Sequence, residues 1–416
     1  MTTKTITKKI QLLLSALALS FTCSLVGVAQ QSLESTNQAL RYSRYSRISL
    51  KIIPIQESSR DFVLQMPIEK LEDNAAFGDY NFYFTILSGY NQTFTDENLT
   101  KLEENDLKLN TQNHFYFEQK IKIPEEQNVA IAFLKVVDTR QGDEYYYHVD
   151  LISPFVLGHP NFGAYFGNNI PFDQNFLIQE EALLFKTKGP VSLHTFYYPT
   201  KFDSPYPPME IKPAPVPREI QVEDQGDFLA NTPRNFDDYG YFFIQSDTNS
   251  TQGLMIKTVP QAFPRVESWE EMVDMVVYIS TRKEHEALLE AQDKKLALDK
   301  YWFGLTKDEE AAKTLIREYF RQIEFANILF TDFKEGWKTD KGMVYTVMGP
   351  PNGVTFRQNA EIWTYGNLDS NSKINFTFAR VKNILTPNYY TLNRSRALQP
   401  EWFKSITLWR SGRMDF

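Results

Sequence analysis

From Arg47 to Pro154 the apolar positions follow the two-residue period of strands. Phe62, Leu64 and Met66 recur at every second position, Ile48 to Ile55 is apolar with interruptions, and Asn81 to Leu87 is a continuous aromatic run. Phe115-Tyr116-Phe117, Val129 to Val137 and Tyr145 to Ile152 extend the series, with turn-rich stretches between them. Short strands at this spacing predict a sandwich of immunoglobulin-like size over 47–154. A second β pattern covers 155–261, with strands expected at Glu181 to Lys186, Val191 to Tyr198, Glu219 to Val222, Gly240 to Gln245 and Gly253 to Val259. The proline-dense stretch 204–217 removes too many ladder donors for a central strand and reads as an extended crossing within that second sandwich.

After about residue 262 the period changes to that of helices. Ser268 to Ser280 opens with a capping serine and two acids. Glu284 to Tyr301 is a charged helix, and Thr306 to Glu309 fits a capping box. Ala312, Leu315, Ile316, Tyr319, Ile323, Ala326 and Phe330 then recur at three- and four-residue steps. Gly336-Trp337-Lys338-Thr339-Asp340 follows, then Met343 to Met348, expected as a strand, with Gly349 to Gly353 as its turn. Glu361 to Tyr365 and Ile374 to Ala379 are further strands, and Tyr389 to Leu392 and Ile406 to Arg410 weaker ones. The expected fold is therefore multidomain: two N-terminal all-β sandwich, immunoglobulin-like domains, then an α+β domain over 262–416 with helices on a small antiparallel sheet.

The pentapeptide also carries a resemblance. Gly336, Trp337, Thr339 and Asp340 match the fixed positions of the GWxTD-domain family. Tyr278-Ile279, the helix from Tyr319 to Phe330, Gly349-Pro350-Pro351 and Glu361-Ile362-Trp363-Thr364-Tyr365 match its supporting features. The chain thus resembles secreted bacterial envelope proteins of unassigned activity over about residues 262 to 416. The resemblance implies an architecture and no reaction.

The N-terminus adds a destination. Lys4, Lys8 and Lys9 precede an apolar stretch from Ile10 to Val28, and Gly27-Val28-Ala29 has the small residues of a cleavage site. Residues 1–29 read as a signal peptide, and 30–46 as a flexible spacer. The expected location is the periplasm or the outer membrane of a Gram-negative envelope. Cys23 is the only cysteine, and Ser20-Phe21-Thr22 before it is a poor lipidation site, so membrane association is expected only if Cys23 is lipidated. Cleavage after Ala29 leaves no cysteine for disulfides, thiol catalysis or metal ligation. The formal net charge of -8 gives no bulk attraction for nucleic acid. Arg41, Arg44 and Arg47 form the one basic cluster, read as a tether or first strand that could touch phosphates or headgroups.

Candidate chemistry is sparse. The five histidines form no ligand pair at helical spacing, and neither a nucleophile elbow nor a phosphate-binding loop occurs. No cofactor or metal is expected. In a structural reading Gly336 turns the chain, Trp337 plugs the junction of helix and sheet, and Thr339 and Asp340 bond nearby turn amides. In a functional reading Asp340 is an acid or base, Lys338 binds substrate, and Glu361 is the second carboxylate of a hydrolase. The aromatic clusters Tyr145-Tyr146-Tyr147 and Phe162 to Phe166 are candidate sugar or protein contacts, or else packing against a neighbouring domain. The favoured reading is a secreted envelope binding or assembly module without catalytic activity, with a protein or glycan partner. The alternative is the hydrolase around Asp340.

Overall fold

The computed structural model describes residues 30–199, 201–211, 221–370 and 372–414. The expected signal peptide, Cys23 and residues 212–217 of the proline-rich stretch lie outside the described residues. Strands dominate the first two thirds of the chain, in several antiparallel sheets, and the helices gather towards the C-terminus.

Nine strands come first: β1 (Ile48–Leu50), β2 (Ile53–Gln56), β3 (Asp61–Lys70), β4 (Tyr80–Leu87), β5 (Thr100–Leu102), β6 (Leu107–Asn110), β7 (His114–Lys122), β8 (Ala130–Asp138) and β9 (Glu144–Ile152). One sheet runs β1-β3-β7-β6, with β2 also on β3, and the other runs β5-β4-β8-β9. Phe62, Leu64, Met66, Phe115 and Phe117 of the first meet Phe82, Phe84, Ala132, Leu134 and Val136 of the second in one buried cluster. The alternating side chains of β8, Ile131 and Phe133, face away from that cluster and join the C-terminal core. Burial on both faces explains why β8 is apolar at every position from Ala130 to Leu134.

The next part holds β10 (Gly163–Tyr165), β11 (Leu177–Ile178), β12 (Ala182–Lys186), β13 (Ser192–Tyr198), β14 (Asp224–Leu229), β15 (Pro233–Asn235), β16 (Gly240–Gln245) and β17 (Leu254–Val259). They form a β10-β12-β15 sheet and a β11-β17-β16-β13-β14 sheet around Phe162, Phe185, Leu193, Phe242 and Ile256. Of the strand expected at Glu219 to Val222, the first two residues lie outside the described residues and Gln221 and Val222 are in no strand; β14 begins at Asp224 and is largely exposed. The described part of the proline-rich stretch does not stay within these sheets. Phe202 packs on Phe333, and Tyr206 and Pro208 accept hydrogen bonds from Arg394 and Ser395.

The C-terminal part contains α1 (Trp269–Met275), α2 (Arg282–Glu290), α3 (Lys294–Thr306), α4 (Glu309–Phe330), α5 (Asp340–Met348), β18 (Gly353–Arg357), β19 (Ala360–Tyr365), β20 (Ile374–Arg380), β21 (Tyr390–Leu392) and α6 (Gln399–Arg410). Its sheet is antiparallel, in the order β18-β19-β20-β21. Among the described residues no helix is long and apolar enough to cross a membrane. Ser268 caps α1 by accepting from the Glu271 amide at 3.1 Å. Four expectations are corrected here. The charged helix is broken into α2 and α3, because Asp293 caps a new start. Asp308, not Thr306, caps α4. Ile406 to Arg410 belongs to α6, which buries Trp402 and Trp409. Met343 to Met348 is helix, not strand: Thr339 caps it, and Gly342 to Val347 is buried throughout, which erases the helical period.

Residues 31–46, expected as a flexible spacer, are packed. Leu33 and Tyr42 are buried, and the Gln38 amide bonds the Val354 carbonyl at 2.8 Å. The Asn37 side chain accepts from the Val354 amide at 2.9 Å. The C-terminal core therefore includes Leu33 and Tyr42 of this strap, and Leu87, Phe94, Phe133 and Tyr146 of the first sheets. A fragment starting at residue 262, which the change of period alone marks as a separable unit, is expected to be poorly folded. Circular dichroism and dye binding of that fragment check this. A cooperative, native-like melt would show that the shared core is dispensable.

Candidate functional site

The pentapeptide is built against the end of α4. Thr331 ends that helix, and its hydroxyl accepts from the Gly336 amide at 2.9 Å. Gly336–Lys338 makes one 3-10 turn laid on α4. A Cβ on Gly336 would sit 1.9 Å from the Ala326 carbonyl oxygen, and one on Gly342 would sit 1.9 Å from the Gly336 carbonyl oxygen. Three backbones are thus stacked through two glycines. Close approach, not a turn with positive φ, is the reason for Gly336.

Trp337 is buried beside Tyr278, with ring centroids 5.9 Å apart. Its amide donates to Asn327 Oδ1 at 3.2 Å, and its carbonyl accepts from the Tyr278 hydroxyl at 2.7 Å. The Thr339 hydroxyl donates to the Gly336 carbonyl at 2.7 Å and accepts from the Gly342 amide at 2.9 Å. Lys338 lies 3.4 Å from Glu335. Asp340 does not bond turn amides. It accepts from the Leu392 amide of β21 at 2.8 Å and takes Arg394 in a two-pronged pair, the shorter contact 2.5 Å. The carboxylate therefore ties the start of α5 to the last strand and to the loop after it.

Glu361 has a different set of partners. It accepts from Tyr42 at 2.7 Å, Trp363 Nε1 at 2.6 Å and Lys341 at 2.9 Å. Burial pushes its carboxyl up, but Lys341 and the donors outweigh it and hold it below the usual range. Asp340 and Glu361 are each bound to their own cation, and no hydrogen-bond partner is shared between them. Glu335 sits beside the pentapeptide against Lys257 at 3.1 Å. Burial raises its carboxyl, but Lys257 and Lys338 pull it down to about 2. Burial also draws Lys257 below the usual lysine range. The pair is read from its carboxylate end, where two ammonium groups act on one acid. A carboxyl depressed on folding contributes stability above its unfolded value that is lost as pH falls. Unfolding free energy is therefore expected to fall between about pH 5 and pH 3 by on the order of 2 kcal/mol more in the parent than in Glu335→Gln. Denaturant titrations at the two pH values measure it, and parallel slopes would refute it.

The strap, the first sheets, the second sheets and the C-terminal part meet around a cavity of about 820 Å³. Tyr147, His148 and Asp150 of β9, Arg41 of the strap, Lys341 and Glu361, and Arg380 of β20 line it. Arg380 pairs with Asp150, which also accepts from Tyr90 at 2.8 Å. His159 Nε2 lies 2.8 Å from the Asp150 carbonyl. Burial raises Asp332, at the cavity wall, to about 6, although Thr386 and Lys341 favour its ionised form. Among the described residues no cluster of His, Cys, Asp or Glu is placed to hold a metal.

The aromatic triplet divides as strand alternation requires. Tyr145 and Tyr147 pack on the first sheets' core, and Tyr146 packs on the C-terminal core. Phe162 is buried, so neither cluster forms an open aromatic face. The three arginines of the basic run go separate ways: Arg47 to Asp138 and Glu72, Arg44 towards Glu318, and Arg41 into the cavity wall. Of these cavity residues Glu361 and Tyr147 were sequence candidates. Arg380 and Arg394 lie just past the expected strands Ile374 to Ala379 and Tyr389 to Leu392, and gave no signal. Arg41 was visible only as one member of a basic run.

The sequence model of the GWxTD domain matches residues 240–411. Searches of the curated proteins and of the solved structures return no match. The match begins earlier than the change of period near residue 262, and so takes in β16 and β17. These strands belong with the helices as well: Tyr241 packs on Phe202, and Lys257 reaches Glu335 beside the pentapeptide. Residues 240–411, which hold the glycine-stacked pentapeptide and the Asp340–Arg394 tie, are therefore a region that matches the GWxTD domain.

Proposed function

We propose that this protein is an exported cell-envelope binding or assembly module, and that its ligand occupies the cavity where the four parts of the chain meet. The observation that carries this reading is the cavity itself, about 820 Å³ and lined by both charged and aromatic side chains. That is within the usual size of small-molecule sites, which favour such junctions. In this reading the two β parts are immunoglobulin-like sandwiches acting as scaffold, and residues 1–29 direct export. The pentapeptide is a strut, since both candidate carboxylates are committed to internal ion pairs. The partner is a glycan or another envelope component. Native mass spectrometry of the protein recovered from envelope fractions tests it. Added mass is expected in the parent and not in Asn175→Trp, which fills the cavity wall. Bare protein in both, or equal added mass in both, would count against the proposal.

A further inference from the structure

Arg41 differs from the other cations of the cavity. Lys341 is matched by Glu361, and Arg380 by Asp150. Among the described residues Arg41 has no carboxylate at ion-pair distance. Its guanidinium lies over the Tyr147 ring, 4.0 Å from the centroid, and 5.2 Å from that of Phe356. Two aromatic rings thus hold the plane of the fork in place. Lys51, on the same cavity wall, is held by a neutral group, Asn175 Oδ1, at 2.9 Å.

The neighbouring groups point the same way. His148 also lines the cavity, is 8% exposed, and has a buried Nδ1 with no hydrogen-bond partner. A buried polar atom without a partner is costly, and a ligand would satisfy it. Burial, reinforced by Arg41, Arg380 and Lys341, holds that imidazole neutral, well below its usual range. Burial raises the Tyr147 phenol, yet Lys51 and Arg41 more than offset it, so the hydroxyl sits below the ordinary tyrosine value. The acids nearby are engaged or shifted: Asp173 faces His114 at 3.7 Å, and burial raises Glu69.

We propose that the corner formed by Arg41, Lys51, Tyr147 and His148 is an oxyanion site, taking the carboxylate or phosphate of a small molecule whose body lies along the aromatic wall. The guanidinium fork donates to two oxygens side by side, and the Tyr147 hydroxyl and the His148 ring add neutral donors. The proposal rests on the reading that the cavity binds a ligand, and it narrows that ligand to an anion.

Calorimetric titration of the purified protein with phenyl phosphate, phenylacetate and the neutral 2-phenylethanol tests it. At least one anion is expected to bind, with the alcohol weaker by about tenfold or more, as a charge-assisted bond requires. A lead for phenyl phosphate assigns a phosphate ligand, and a lead for phenylacetate assigns a carboxylate. Arg41→Gln is expected to cut anion affinity by about tenfold without changing that of the alcohol, and Arg41→Lys, which keeps the charge but loses the fork, to fall between. If Arg41→Gln does not fold, Lys51→Gln takes its place, with a smaller, severalfold loss of anion affinity expected. Alcohol binding equal to that of the anions would overturn the oxyanion site and leave the cavity reading standing. Anion affinity unchanged in the folded variants would also overturn it. Binding of none of the three would overturn both.

Discussion

Trp337→Ala is expected to lower the unfolding free energy by roughly 3–5 kcal/mol, the range for emptying a site filled by a large buried aromatic. The indole is 4% exposed and belongs to the cluster that contains Tyr278, Tyr319, Met343 and Val347. The backbone around it is fixed from both sides, by Asn327 and by the Tyr278 hydroxyl. The stacked glycines leave little freedom for α4 and α5 to close the gap, so the cost falls at the upper end of the range. Chemical denaturation of the parent and the variant measures it. A loss below about 1 kcal/mol would mean that the site collapses freely and that the tryptophan is not a plug.

Asp340→Ala is expected to cost a similar amount, roughly 3–5 kcal/mol, for a different reason. It would leave the Arg394 guanidinium, only 5% exposed in its side chain, without its carboxylate. It would also strip the Leu392 amide of its acceptor. Asp340→Asn keeps one oxygen for that amide and should cost less than the alanine variant. Arg394→Met combined with Asp340→Ala should recover part of the loss, because the unpaired buried charge is gone. Denaturation of the three variants beside the parent decides it. If both single Asp340 variants kept full stability while failing to rescue a deletion strain, Asp340 would be a functional acid and the hydrolase reading would return.

The pentapeptide illustrates how far the linear pattern reaches. The bond from the Gly342 amide to Thr339 was readable in outline as a turn contact, since a hydroxyl three residues before a glycine amide is a local partner. Asp340 was misassigned to the same turn because its partners, Leu392 and Arg394, lie some fifty residues away and no local rule connects them. Gly336 was read as a residue for a sharp turn. Its requirement is a contact with the Ala326 carbonyl, which exists only once α4 and the turn are packed.

By itself the sequence determined what depends on local period and chemistry. β3 follows the two-residue alternation, β4, β7, β8 and β9 lie where apolar or aromatic runs stand, α4 follows the three- and four-residue steps, and Ser268 marks the start of α1. The GWxTD resemblance also came from the residues alone. Tertiary structure decided the rest. Met343 to Val347 became helix because burial on every side removes the polar face by which a helix is recognised. The polar strap 31–46 became part of the C-terminal core because Leu33 and Tyr42 found partners more than three hundred residues away, and Gln38 and Asn37 reached the β18 backbone. The cavity exists only because those same long-range contacts bring β9, the strap, β20 and α5 together, so no single stretch of the chain could announce it.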